Sequence, residues 1–213
     1  MNKSYVIFDM DGTLVDSMYY WRNLVKEFIA DKKLDVNLNE VMSAVKTMTL
    51  SQSTRYFSRL FPAFGTPEEM IKNIFDLMEN HYIHDVPLKD GITEYLQKLK
   101  GQGVKMCIAT ITGRDLMTVC LQRLGIMDYF DFVLTGSEVK TGKNTPDMYL
   151  QCARQLGAAP GDIAVFEDTL GALTTAKEAG FYTVGIFDES EKANTEAIKQ
   201  LADEYITSWR DLL

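Results

Sequence analysis

The 213-residue chain is 46% hydrophobic, enough to bury a core without disulfide or metal staples, as one domain or as a core with an insertion. Its formal charge of −8 and sequence pI of about 4.8 exclude a broad basic surface of the kind that draws in nucleic acid or an anionic membrane. An anionic substrate must therefore meet positive charge that is placed locally.

The first predicted strand, Tyr5 to Phe8, runs straight into the acidic turn Asp9-Met-Asp-Gly-Thr13. No strand pattern follows between Ser17 and Val86. The periodicity there is helical, as in Trp21, Leu24, Val25 and Phe28, and again in Met70, Ile71, Ile74, Phe75 and Met78. Beyond this block, strands and amphipathic helices alternate. The strands are Val104 to Ala109, Phe130 to Leu134, Ile163 to Phe166 and Tyr182 to Phe187. The helices carry Ile92, Tyr95, Leu96 and Leu99, then Leu116, Val119, Cys120 and Leu124, then Met148, Tyr149, Cys152 and Leu156, then Leu173, Ala176 and Ala179. Each ends near a glycine, at Gly101 and Gly103, Gly125, Gly157 and Gly180. Such alternation predicts an α/β fold with a doubly wound, mostly parallel sheet. Residues 1–16 and 88–213 form this core, and residues 17–87 form an inserted all-helical cap with hinges near Asp16 to Met18 and Asp85 to Gly91. A lid over the loop after the first strand is the expected role of the cap.

Cys107, Cys120 and Cys152 lie in apolar or amphipathic runs without metal-ligand spacing, so buried reduced thiols are expected, which fits the cytoplasm. The start of the chain turns acidic at Asp9, short of a signal peptide's apolar stretch, and no later segment has the length of a membrane span.

Ligands of open parallel sheets bind beyond the carboxyl ends of the strands. There the sequence places Asp9 and Asp11, then Thr110-Ile-Thr-Gly113, then the loop Thr141-Gly-Lys143, then Glu167-Asp168. Any one of these alone reads as a turn, a helix cap or a solvated charge. Together they supply what phosphoryl transfer needs. Asp9 can attack phosphorus and form an acyl phosphate. Asp11 can protonate the leaving oxygen and later deprotonate the attacking water. Gly12 permits a sharp turn, which Thr13 can fasten. Carboxylates this close call for a hard divalent cation, for which Mg²⁺ on Asp9 and Asp168 is the expected cofactor. Thr110 and neighbouring amides, Ile111 included, can take phosphate oxygens, and Lys143 can offset the charge on Asp9 and the phosphate.

Phe8-Asp-Met-Asp-Gly-Thr-Leu-Val-Asp-Ser17 resembles the signature of the haloacid dehalogenase superfamily, and its four motifs follow in order across essentially the whole chain: Asp9 with Asp11, Thr110, Lys143, and Glu167-Asp168. Pro146-Asp147, Gly171 and Ala179-Gly180 match the subgroup whose helical cap follows the first motif. The resemblance implies that Asp9 is the nucleophile, Asp11 the acid and base with its main-chain carbonyl also on Mg²⁺, Asp168 a direct ligand, and Glu167 the holder of a metal-bound water. The usual Gly-Lys-Pro-x-Pro-Asp is here Gly142-Lys-Asn-Thr-Pro-Asp147, which keeps the lysine in an altered loop. Asp11 argues against dehalogenation, which has no alkoxide to protonate, and no cap lysine stands out for the Schiff base of a phosphonatase.

The expected activity is hydrolysis of a small phosphate monoester through an aspartyl phosphate, by a monomer or weak homodimer. Sugar-phosphate mutases of this subgroup carry a cap histidine, where an ungapped count puts Trp21, and a cap arginine, which Leu50 replaces within Thr47-Met-Thr-Leu-Ser51. Arg55 is the alternative for that second role. Trp21, Leu50 and Thr112 are the candidates for substrate contact. His81 and His84 read as surface or hinge histidines with no carboxylate partner evident, and the cap's aromatic and methionine residues, among them Tyr19, Tyr20, Met42 and Met48, read as its own core. A phospho-aspartate switch would lack so large an insertion and the second aspartate, and a non-catalytic relative would have lost a motif residue.

Overall fold

The computed structural model describes residues 3–34, 36–37, 40–41, 50–61 and 65–213. The chain divides into two compact units, Met1–Met18 with Val86–Leu213, and Tyr19–Asp85. Among the described residues no helix is long and apolar enough to cross a membrane.

The second unit is helical among its described residues, with α1 at Met18–Asp31, α2 at Leu50–Leu60 and α3 at Pro67–His84. Helix α3 starts where the sequence chemistry dictates. The Thr66 hydroxyl accepts from the Glu69 amide, the Glu69 carboxylate accepts from the Thr66 amide, and Pro67 occupies the first turn, where it sacrifices no hydrogen bond. The buried stripe is Leu24, Phe28 and Ile29 on α1 and Met70, Ile74, Met78 and Tyr82 on α3. Phe75 is 46% exposed, so its apolar period belongs to the rim and not to the buried stripe. Met42 and residues 47–49 lie outside the described residues, as do the side chains of residues 50–53.

In the first unit, six strands form one sheet: β1 Tyr5–Phe8, β2 Lys105–Thr110, β3 Phe132–Thr135, β4 Ile163–Glu167, β5 Tyr182–Ile186 and β6 Glu204–Ile206. All neighbours pair in parallel, in the order β3-β2-β1-β4-β5-β6, which bears out the doubly wound parallel fold. The connecting helices are α4 Ile92–Gly101, α5 Arg114–Arg123, α6 Gly136–Val139, α7 Asp147–Leu156, α8 Leu170–Glu178 and α9 Thr195–Leu201. On α5 the buried residues are Met117, Cys120 and Leu121, while Val119 is 42% exposed, so the helix is rotated by part of a turn from the predicted stripe.

The sheet is buried on both faces, which is why its central strands read as unbroken apolar runs. One face packs Ile7, Cys107 and Val165 against Tyr149, Cys152 and Leu156 of α7. The other stacks Phe8 on Phe166 with centroids 5.2 Å apart and closes them under Tyr95 and the fully buried Trp209. All three cysteines are buried and free, as expected.

The sheet order reverses beside β1, because β2 and β3 lie on one side of it and β4 to β6 on the other. A crevice therefore forms past the ends of β1 and β4. Just beyond it the two chain segments leading to and from the helical unit pair with each other. Asp16 donates its amide to the Pro87 carbonyl at 2.9 Å, and Lys89 donates its amide to the Leu14 carbonyl at 2.9 Å. The Lys89 ammonium, reaching Asp188 at 2.5 Å and Asp16 at 3.3 Å, ties this ribbon to the loop after β5.

Candidate active site

Asp9 is placed by the sheet itself, because its amide donates to the Phe166 carbonyl at 2.9 Å and extends the β1–β4 pairing by one residue. The chain then has to turn. The amides of Leu14 and Val15 both return to the Met10 carbonyl, and Gly12 takes φ +82°, a region costly to any residue with a Cβ. A second constraint falls on the same glycine: a Cβ there would stand 2.4 Å from Oδ2 of Asp168. The turn is pinned from behind by the Trp209 indole, which donates to the Thr13 carbonyl at 3.0 Å. The Thr13 hydroxyl bonds across to Asp168 at 3.3 Å, so it joins the first and last motifs, where sequence reasoning has it fastening its own turn.

Asp9, Glu167 and Asp168 are all buried, and each offers an oxygen within 4.8 Å of the others. The Lys143 ammonium bridges Asp9 and Glu167, donating to the latter at 2.7 Å. Burial alone would lower this lysine's pKa, but the two carboxylates outweigh it and hold the ammonium well above its usual range. Burial, and then the Glu167 charge, push Asp9 up to about 8 against the pull of Lys143. Burial, Glu167 and Asp9 likewise raise Asp168. One lysine thus does not balance three buried carboxylates. Among the described residues, Oδ2 of Asp168 is also buried with no hydrogen-bond partner, although buried carboxylate oxygens are normally satisfied. Hard oxygen donors, excess negative charge and an orphaned oxygen all fit a divalent cation. Asp168 stands one residue before Thr169, the N-cap position of α8, and is not itself the cap.

Across the crevice, both oxygens of Asp11 accept hydroxyls, Ser17 at 2.6 Å and Thr112 at 2.5 Å. The loop after β2 is turned by the Thr112 amide donating to Oγ1 of buried Thr110 at 3.0 Å, which leaves the Thr110 hydroxyl proton available to an incoming oxygen. That turn throws the Ile111 side chain outward, 67% exposed. A cavity of about 950 Å³ opens over the cluster, with Asp9, Asp11, Ile111, Lys143 and Asp168 among its walls.

The structure thus gathers Asp9, Asp11, Thr110, Ile111, Thr112, Lys143, Glu167 and Asp168 at one end of the sheet. Trp21 belongs to the helical unit, where its indole donates to the Tyr82 hydroxyl at 3.1 Å and its ring meets Phe75 edge-on. Leu50 opens α2, and its side chain lies outside the described residues. His81 departs from its reading as an unpartnered surface histidine. Its two ring nitrogens lie 2.7 Å from Glu27 and 2.7 Å from Asp85. Glu27 is 54 residues away on α1, a pairing that no local pattern reveals. Sequence reasoning also missed Tyr149. Taken there as core, it sends its hydroxyl to Glu167 at 3.3 Å and lies under the Lys143 ammonium, 6.0 Å from ring centroid to nitrogen. An aromatic with a polar tip at a buried helix position was the available signal.

Residues 6–186 match the family model of the haloacid dehalogenase-like hydrolases. Among curated proteins, the chain is 27% identical over 189 residues to the β-phosphoglucomutase of Bacillus subtilis, covering 85% of this chain and 82% of that protein. It is 27% identical over 179 residues to the phosphorylated carbohydrates phosphatase of Thermotoga maritima, covering 82% and 81%. Among solved structures, a mutant of the CbbY protein of Rhodobacter sphaeroides, crystallised in complex with xylulose 1,5-bisphosphate, is similar at TM-score 0.75 and 21% identity over 99% of this chain and 96% of that one. A likeness at that identity bears on the fold.

Proposed function

Since the chain belongs to the haloacid dehalogenase-like hydrolase family, we propose that it removes phosphate from small phosphate monoesters by passing the phosphoryl group through Asp9. The observation that carries this reading is the convergence of a lysine-paired Asp9 and a hydroxyl-clamped Asp11 in one cavity, beside an aspartate with an orphaned oxygen. Asp9 attacks phosphorus while Asp11 delivers a proton to the departing oxygen, and Asp11 then takes a proton from the water that cleaves the acyl phosphate. The Thr110 hydroxyl and the Ile111 amide receive phosphoryl oxygens, Lys143 compensates charge on Asp9 and the phosphate, and Glu167 is oriented by Lys143, Tyr149 and Thr169. Asp9, Asp168 and the Asp11 main-chain carbonyl would hold Mg²⁺, with Glu167 on a water beside it, and the ion would supply neutralisation of the phosphoryl charge. The helical insertion is assigned the role of a substrate-selecting cap, and Trp21 and Leu50 of the insertion, with Thr112 on the loop after β2, remain the candidate substrate contacts. The phosphorylated carbohydrates named for the Thermotoga relative make sugar phosphates the first substrates to try.

A second reading, sugar-phosphate mutation, is favoured by the Bacillus relative. One assay separates the two: purified protein with Mg²⁺ and a panel of phosphate monoesters that includes hexose 1-phosphates and 6-phosphates. Free phosphate released in proportion to substrate consumed, abolished by EDTA and by Asp9→Asn, supports hydrolysis. Interconversion of the hexose phosphates without net release supports the mutase and overturns hydrolysis.

A further inference from the structure

Proton delivery by Asp11 fixes where the leaving group must sit, because a general acid has to be within hydrogen-bond reach of the oxygen it protonates. Two hydroxyls are immediate partners of Asp11. Its carboxylate is held by Ser17 on one side and Thr112 on the other. The chain neighbour of each donor, Met18 after Ser17 and Ile111 before Thr112, lines the same cavity. Both are apolar. Of the cavity's charged and amide groups, Asp9 and Asp11 itself follow β1, and Glu167 ends β4 with Asp168 just after it. Lys143 and Asn144 come from the loop between α6 and α7, and Glu191 and Asn194 from the segment after β5, so neither chain neighbour of the two hydroxyl donors adds a charge.

Ile111 is outward for a local reason and not through loose packing. The Thr112 amide, donating to Oγ1 of Thr110, fixes the turn after β2, and Ile111 passes close to Gly136, where a Cβ would stand 3.5 Å from the Ile111 Cα and 3.7 Å from its Cγ2. Among the described residues little covers the side chain, which is 67% exposed. An isolated exposed isoleucine means little, but this one faces a catalytic cavity beside the proton donor and is matched there by a methionine, a side chain that adapts to varied apolar shapes.

We infer that Ile111 and Met18 form an apolar subsite for the leaving alcohol, so that the enzyme prefers esters presenting a hydrocarbon face next to the scissile oxygen and disfavours those carrying charge there. The inference rests on the assignment of Asp9 and Asp11 above. Its test uses ethyl, butyl and hexyl phosphate, whose alcohols differ in apolar length and hardly at all in leaving-group acidity, with Mg²⁺ and the full chain. In the wild type, kcat/KM for hexyl phosphate should exceed that for ethyl phosphate by at least about 10-fold. Ile111→Ser should bring this ratio close to unity, and Ile111→Leu should keep most of it. Because the side chain is exposed, thermal melting should be nearly the same in all three proteins. A wild-type ratio near one, or a ratio that Ile111→Ser leaves unmoved, overturns the subsite while phosphate release remains dependent on Asp9. Release that persists in Asp9→Asn, or no release from any ester, overturns the underlying assignment and the subsite with it.

Discussion

Asp11 illustrates how single residues set the chemistry. In the proposed mechanism this carboxylate alternates between acid and base and has to keep one position through both steps, and the Ser17 and Thr112 hydroxyls, which occupy both of its oxygens, would supply this. Hydrogen bonds to a charged group are worth about 1.5–3 kcal/mol. Thr112→Val, which keeps the shape and removes the donor, should therefore lower kcat by about 10-fold or more with little change in melting temperature, and Thr112→Ser should restore it. Steady-state phosphate release by the three proteins checks this. Gly12 makes the complementary case, in which the absent atom is what matters. An alanine there must adopt positive φ at about 1–2 kcal/mol and must also push Asp168 aside, since its Cβ falls 2.4 Å from Oδ2. Gly12→Ala should cost stability of that order and weaken Mg²⁺ binding, measured by calorimetry, well beyond what the stability loss explains.

At the scale of elements, the helical unit contains a titratable clamp. His81 on α3 is held between Glu27 of α1 and Asp85, the residue that caps α3, with the Tyr20 ring 4.6 Å away. Burial alone would lower its pKa, yet hydrogen bonds to the Glu27 and Asp85 carboxylates outweigh this and raise it above the usual 6.5. The fold thus favours the imidazolium. Its contribution is complete below the unfolded value of about 6.5 and disappears as pH rises through the higher folded value. The melting temperature of the protein should fall with rising pH in this window, and His81→Gln should flatten that dependence. Equal slopes in the two proteins would rule the clamp out.

Such a clamp also marks the limit of what the sequence discloses. Elements that are long and periodic were readable: β1, β2, β4 and β5 as apolar runs, α4 and α7 by their buried stripes. So were the residues just past strand ends, because in a parallel sheet their position follows from the strands alone. Strand β6, only Glu204–Ile206, is too short and too polar to announce itself, and the four-residue α6 depends on a Thr135–Glu138 capping box that is braced from outside by Arg114. Tyr149, Trp209 and His81 were visible as residues but not as partners, because their contacts join segments distant in the chain.

At the scale of the molecule, topology and electrostatics meet in one place. The strand order reverses beside β1, so the fold itself opens a crevice there, and into that crevice it packs three carboxylates against one lysine. Carboxylates crowded together in a buried site are unfavourable until a cation joins them, so the uncomplexed protein should carry a standing cost at the ends of β1 and β4. A ligand that binds only the folded state stabilises it by RT ln(1 + [L]/Kd), about 2.7 kcal/mol at 100 times Kd. Adding Mg²⁺ should therefore raise the melting temperature in a saturable way, by several degrees for a chain of this size, whereas the same concentration of Na⁺ should not. Asp168→Asn removes one negative charge and the orphaned oxygen's pull on the cation. This variant should melt higher than the wild type in EDTA, because repulsion is relieved, and gain little when Mg²⁺ is added. A wild type whose melting ignores Mg²⁺, or an Asp168→Asn variant that melts lower in EDTA and still responds fully to the ion, would show that the acidic cluster is not where the cation binds.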